Sequence, residues 1–315
     1  MSERVSSSFD QINSCCLKTL IDSLKIIQRN KHIYFSIFAF LSLPLSLLHF
    51  SLTLSSYPIK SQILHLEYLA TRTPTRFEAR QVWRESREVA INLLHLKLLY
   101  FLPCYLFSLI AAITVVVSTE SVYNKGPTSI KLAFAAIKPI WTRPVVTSIC
   151  IYAIQILYSA VPYTLAAVIG SSSSRLRFVI WVIGLGAELY IIAVSEIGLV
   201  VSIVERRFGW DAIRVGSDLM EGRRIFGWVL CGLMAVLTGG IGRRMEGLMV
   251  LESEYLAEEP KWTVKEGWEK AAAVLVVLYG VVVVWGFVVT TVFYCECRQR
   301  HVVREEEQQL ESIDC

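Results

Sequence analysis

Two carboxylates stand inside one long apolar run of this sequence, Glu188 and Glu196 in Phe178–Val204. An ionised carboxylate at the centre of a lipid-spanning helix costs about 2.5–3.5 kcal/mol even on the lenient insertion scale. Glu188 lies near the middle of the run and therefore requires either a neutral, hydrogen-bonded state or a part in moving protons or cations. Gln155, at matching depth in the run Val145–Ile169, is the expected bonding partner, with Tyr152, Tyr158 and Ser159 as substitutes. Glu196, two turns further along, would be the second member of a relay. Transport paths usually add a helix broken at paired Gly or Pro, and Gly184 and Gly186 are the only such feature here. Structural bonding of Glu188 is the favoured expectation, and a small-solute or ion transporter using it is the alternative.

Thiols form the second group. Cys15-Cys16 and Cys295-x-Cys297 flank apolar runs, a placement that suits either reversible palmitoylation or exposed reduced thiols. Their spacing is not that of a zinc site, and five scattered histidines supply too few further ligands, so no metal is expected. Cys315 is terminal and does not form a prenylation box. The sequence holds no Gly-rich phosphate loop, no Ser-x-x-Lys and no His-Glu-x-x-His. Neither an enzyme nor a cofactor is expected.

The elements that must position these residues follow from composition. Of 315 residues, 54% are hydrophobic and 18% charged, with mean hydropathy +0.51. Soluble domains carry about 25% charged residues, and about 20 consecutive apolar residues cross a bilayer as a helix. The apolar residues fall in six blocks, 33–54, 98–117, 145–169, 178–204, 225–241 and 271–294. The expected fold class is therefore an all-α integral membrane protein, a six-span bundle over 31–294 with short cytosolic interfacial helices. Pro44, Pro103 and Pro162 lie inside the first three blocks and are read as kinks. The block 225–241 is the shortest, ends at Gly239-Gly240 and is bracketed by Arg223-Arg224 and Arg243-Arg244.

Lys and Arg are in modest excess on the side that carries the N-terminal segment 1–30 and the tail 295–315, which places both termini in the cytosol. No Cys falls in the loops on the other side, so no disulfide framework is expected there. Arg80, Arg84, Glu85 and Glu88 in the first loop interleave at helical spacing and read as a solvated helix face. A net charge of +4 dispersed over the loops is too dilute for a nucleic-acid surface. The expected partners are the lipid bilayer, anionic lipid headgroups and cytosolic proteins. The expected place is the endoplasmic reticulum or another endomembrane, with the plasma membrane as the alternative.

A short amphipathic stretch precedes each odd-numbered span. The first has Ile12, Cys16, Leu20, Leu24 and Ile27 on one helical stripe, the second Ile130, Phe134, Ile137 and Trp141, and the third Phe208, Ala212, Val215 and Leu219. They are expected to pack on the bundle end, and the alternative is binding to anionic lipid. Glu120-x-x-Tyr123 and Glu205-x-x-Phe208 close the preceding spans alike, which suggests an internal repeat.

The stretch Val200-Val201-Ser202-Ile203-Val204-Glu205, followed by Phe208-Gly209, Ala212, Ser217-Asp218-Leu219 and Gly222-Arg223-Arg224, resembles a plant family of uncharacterised multi-pass membrane proteins. Tyr123, Gly126 and Ile140-Trp141-x-Arg143 are similar to that family's earlier cytosolic loop. Some of its members carry a name implying that they bind a polyadenylate-binding protein. The same loop has a weaker likeness to bacterial membrane domains attached to glycerophosphodiesterases. Arg206-Arg207 stands where the plant family often has an acidic or neutral pair. The resemblance implies fold and location, not an activity. Together these readings predict a non-catalytic endomembrane protein that interacts with lipids or proteins.

Overall fold

In the computed structural model the backbone is described for residues 2–72, 75–126, 129–169, 174–255 and 262–313. Side chains are described for 16–72, 75, 77–126, 129–162, 164–165, 175–176, 178–250 and 267–303. The side chains of Ile12, Cys15 and Cys315 lie outside those ranges.

The chain is an all-α integral membrane protein. Helix α1 spans Ser2–Arg29, and α2 (Lys31–Ile37) leads through a π-helical stretch, Phe38–Ser42, into α3 (Leu43–Arg72). Then follow α4 (Arg76–Tyr123), α5 (Ile130–Ile140), α6 (Thr142–Ile169) and α7 (Ser174–Val204). The remainder is α8 (Gly209–Leu219), α9 (Arg224–Tyr255) and α10 (Trp262–Ile313). Among the described residues, six stretches are long and apolar enough to span: Lys31–Arg72, Phe77–Tyr123, Thr142–Pro162, Phe178–Val204, Arg224–Val250 and Gly267–Val303. A helix satisfies its own backbone, and lipid offers no other partner for it.

Several boundaries differ from the sequence expectation for a common reason: helix propensity and long-range packing carry helices past the end of their apolar blocks. The first loop is largely helical, with α3 running to Arg72 and α4 starting at Arg76. Arg84 and Glu88 face each other there at 3.8 Å, both well exposed, as a solvated face. Residues 295–313 are not a separate tail but the continuation of α10. The short fifth block is embedded in the 32-residue α9, which passes Gly239-Gly240 unbroken. Helices also run on through Pro58, Pro103 and Pro162.

The chain divides into two compact units. One comprises Phe38–Ala111 and Leu237–Val283. Its core joins Ile241, Met245, Val276 and Val282 to Phe50 and Tyr279. His49 stacks on Tyr279 at 4.8 Å, and Ser42 Oγ donates to the Gly280 carbonyl at 2.7 Å.

The other unit comprises Met1–Ile37, Ala112–Val236 and Val284–Cys315. Here Ile113, Val116, Ile197, Val201, Val288 and Val289 are fully buried. Helix α8 lies against α7 with almost no side chain between them. A Cβ on Gly216 would stand 2.9 Å from the Gly198 backbone nitrogen, and one on Gly198 would stand 3.0 Å from Ile213 Cα. Gly209 opens α8 with φ +63°, a left-handed conformation that glycine adopts without steric cost. Its N–H donates to Thr147 Oγ1 on α6 at 2.9 Å.

All three stretches read as amphipathic in the sequence are helices, α1, α5 and α8, but α1 is turned from the expected stripe. Cys16, Thr19 and Ser23 face inward, while Leu17, Ile21 and Leu24 are exposed. Hydroxyls decide that rotation. Trp285 Nε1 donates to Ser23 Oγ at 3.0 Å, and Thr19 Oγ1 donates to the Glu296 carboxylate at 3.1 and 3.2 Å. Apolar residues can face lipid at no loss, whereas buried polar groups need partners. On α5 likewise, Phe134 is exposed, as is Trp141 at its C-terminal cap, whereas Ala133 is buried.

Candidate functional site

The two carboxylates singled out in the sequence have different surroundings. Glu196 turns into the bundle, where Thr290 Oγ1 on α10 donates to its Oε2 at 3.2 Å. Beside it, Gly227, Cys231 and Phe293 help enclose a cavity of about 20 Å³, room for one water molecule. Glu188, by contrast, is exposed on α7. It lines a cleft of about 290 Å³ between α6 and α7 together with Tyr152, Gln155, Tyr158 and Ser159. The structure thus brings Glu188 and all four of its expected partners to one cleft. Among the described residues, however, no hydrogen bond or ion pair engages Glu188.

Gly184 and Gly186 do not break α7, which is continuous across them. Their carbonyls accept additional hydrogen bonds instead, from Tyr158 Oη at 2.8 Å and from Trp228 Nε1 at 2.9 Å. A Cβ on Gly184 would lie 3.2 Å from the Pro162 ring. These glycines admit close neighbours and do not unwind the helix.

Two residues of the fourth-loop motif, Glu205 and Arg223, reach α10. Glu205 accepts a hydrogen bond from Tyr294 Oη at 2.8 Å and faces Arg298 Nε at 3.9 Å and Arg207 Nε at 3.8 Å. Arg223 Nη1 reaches Glu296 Oε2 at 3.1 Å, with the two side chains 13% and 18% exposed. Ala212 and Leu219 are buried, Ser217 is half-buried, and Phe208 is exposed ahead of α8. Gly222 makes the left-handed turn into α9 with φ +80°. Most of the motif is thereby accounted for as the fastening of α8 and its two flanking turns. The acid of the other half-repeat, Glu120, also lies within electrostatic reach of Arg298, and Tyr123 Oη donates to Gln299 Oε1 at 3.1 Å. The partners on α10 (Tyr294, Glu296, Arg298) had no local spacing to announce them.

Between α1, the α8–α9 turn and α10 lies an open groove of about 750 Å³. Its basic groups are Lys18, Arg223, Arg300 and His301, and Leu219 and Val303 supply apolar wall. Arg223 is held by Glu296, and Asp22 is occupied by Lys25 at 3.1 Å. Lys18 and Arg300 have no acidic partner among the described residues, although the acids Asp22, Glu221 and Glu296 also line the groove. Three of the cysteines expected to accept palmitate, Cys16, Cys295 and Cys297, are buried. Acylation of those sulfurs would need the packed helices to part. Among the described residues no group of His, Cys, Asp or Glu is arranged to hold a metal ion.

No curated protein and no solved structure matches this sequence. A family model described as a domain of unknown function, DUF8558, matches residues 13–312. That match runs from the middle of α1 almost to the end of α10 and takes in every spanning helix and the groove. The chain belongs to the DUF8558 family.

Proposed function

We propose that the protein is a non-catalytic membrane protein that binds the phosphate-bearing headgroup of an anionic lipid in the groove between α1, the α8–α9 turn and α10. The observation that carries this reading is that Lys18 and Arg300, without an ion pair among the described residues, stand in a groove that also has apolar wall and the acids Asp22, Glu221 and Glu296. A phosphate prefers such cationic donors, and the apolar wall suits the first carbons of an acyl chain. The outward face of α1 supports it. Leu17, Ile21 and Leu24 are exposed beside Lys18 and Lys25, the composition of a helix lying in a headgroup layer. Cytosolic termini and an endomembrane location belong to the same reading, as does the likeness to the plant multi-pass family.

The alternative, a small-solute or ion transporter using Glu188, draws less support. Helix α7 is unbroken, and Glu188 stands apart from the internal cavity beside Glu196.

Binding of short-chain phosphatidic acid and phosphatidylcholine to the full-length protein in detergent tests the proposal. Each basic residue near a membrane surface contributes about 1 kcal/mol toward anionic lipid, so Lys18→Ala with Arg300→Ala is expected to weaken phosphatidic acid binding about thirtyfold. Equal binding of the two lipids, or an unchanged affinity in the double variant, would overturn it.

A further inference from the structure

The cleft of α6 and α7 has a chemistry that neither the groove nor the bundle interior shares. Glu188 sits near the middle of α7 and Gln155 near the middle of α6, so the cleft opens at the level of hydrocarbon. Ile156 on its edge is 69% exposed, which leaves a lateral entrance from lipid. An intramembrane acid almost always faces a partner or a cavity, because a lone carboxylate in hydrocarbon is costly. Glu188 has no partner among the described residues, and no Lys, Arg or His lines the cleft. A charged Glu188 would draw its countercharge from outside the described residues.

We infer that this cleft binds the ammonium group of a membrane-dissolved amphiphile, a long-chain amine or amino alcohol. The carboxylate of Glu188 pairs with the ammonium, which removes the cost of either charge standing alone in lipid. Tyr152 and Tyr158 line the same cleft, and tyrosine rings attract cations. Gln155 and Ser159 offer hydrogen bonds to a hydroxyl on a neighbouring carbon of the ligand. A volume of about 290 Å³ lies at the small end of ligand pockets, enough for a compact polar head while the tail stays in lipid. An anionic head is excluded by Glu188. A second copy of the chain is disfavoured because two-fold pairing across this face would oppose one Glu188 to another.

The experiment uses the full-length protein in lipid nanodiscs and two probes of equal chain length, a diazirine-bearing primary amine and the corresponding alcohol. After photolysis, the amine is expected to label peptides from α6 and α7 that contain Tyr152–Ser159 or Ile183–Ile192, and the alcohol to label them weakly. Glu188→Gln keeps the shape of the side chain and removes the charge, and should reduce amine labelling about tenfold or more. A plain long-chain amine should compete in the unaltered protein, whereas the plain alcohol should not, a readout that needs no variant. Amine labelling outside the cleft, equal labelling or competition by the alcohol, or undiminished labelling of Glu188→Gln would each overturn the assignment. Lys18→Ala with Arg300→Ala leaves the cleft intact and should label normally, so this inference and the groove reading stand or fall separately.

Discussion

Alanine at Gly216 is expected to destabilise the protein by about 1–3 kcal/mol, and valine to destabilise it further by displacing α8 from α7. The added Cβ would meet Gly198 N at 2.9 Å, Gly198 Cα at 3.1 Å and the Val194 carbonyl at 3.3 Å. All three are backbone atoms of α7, so no rotamer change can relieve the clash and the helices must part. Gly239 supplies the control. Nothing lies within 4 Å of a Cβ placed there, and replacing a helical glycine by alanine gains about 0.5–1 kcal/mol. Thermal unfolding of the solubilised variants, followed by size-exclusion chromatography, should rank Gly239→Ala at or above the unaltered protein and Gly216→Ala well below it. A Gly216→Ala protein as stable as Gly239→Ala would contradict the close approach of α7 and α8.

Removing the carboxylate of Glu296 should have an effect of similar size and a distinctive local signature. Breaking a fully buried pair costs about 3–5 kcal/mol because the remaining charge is stranded. Arg223 and Glu296 retain a little exposure, so about 2 kcal/mol is expected for Glu296→Ala. Glu296 also accepts from Thr19, and its loss frees that hydroxyl fastening of α1. Trypsin should then cut sooner after Lys18, Lys25 or Arg29. Glu296→Gln keeps an acceptor for Thr19 and should protect α1 while still losing the charge pair. Adding Arg223→Ala to Glu296→Ala should cost less than the sum of the two single changes. Strict additivity would mean that the pair contributes nothing.

The spanning architecture was legible because lipid imposes a length and a composition on each crossing helix, and those are local properties of sequence. The three amphipathic helices were legible for the same kind of reason. What could not be read was rotation about a helix axis. Helix α7 is apolar almost all round, so its sequence places Glu188 and Glu196 by depth but not by direction. Only packing reveals that Glu196 turns to Thr290 while Glu188 faces outward. Helix α1 misled in the opposite sense. Its apolar stripe predicts one packing face, yet the helix is rotated so that Thr19 and Ser23 join Cys16 inward, bonded to Glu296 and Trp285. The fourth-loop motif could be seen as a pattern, but its reason lay in Tyr294, Glu296 and Arg298, about 75–95 residues away, where no periodicity points.

The sequestered thiols give the molecule built-in sensors of its own opening. Cys16 on α1 and Cys295 and Cys297 on α10 are shielded from solvent only while those helices stay together. With the other five cysteines (Cys15, Cys104, Cys150, Cys231 and Cys315) replaced by serine, a maleimide dye should react slowly with the resting protein. It should react quickly once α1 lifts, so any lipid, partner or substitution that loosens the groove would announce itself as a burst of fluorescence.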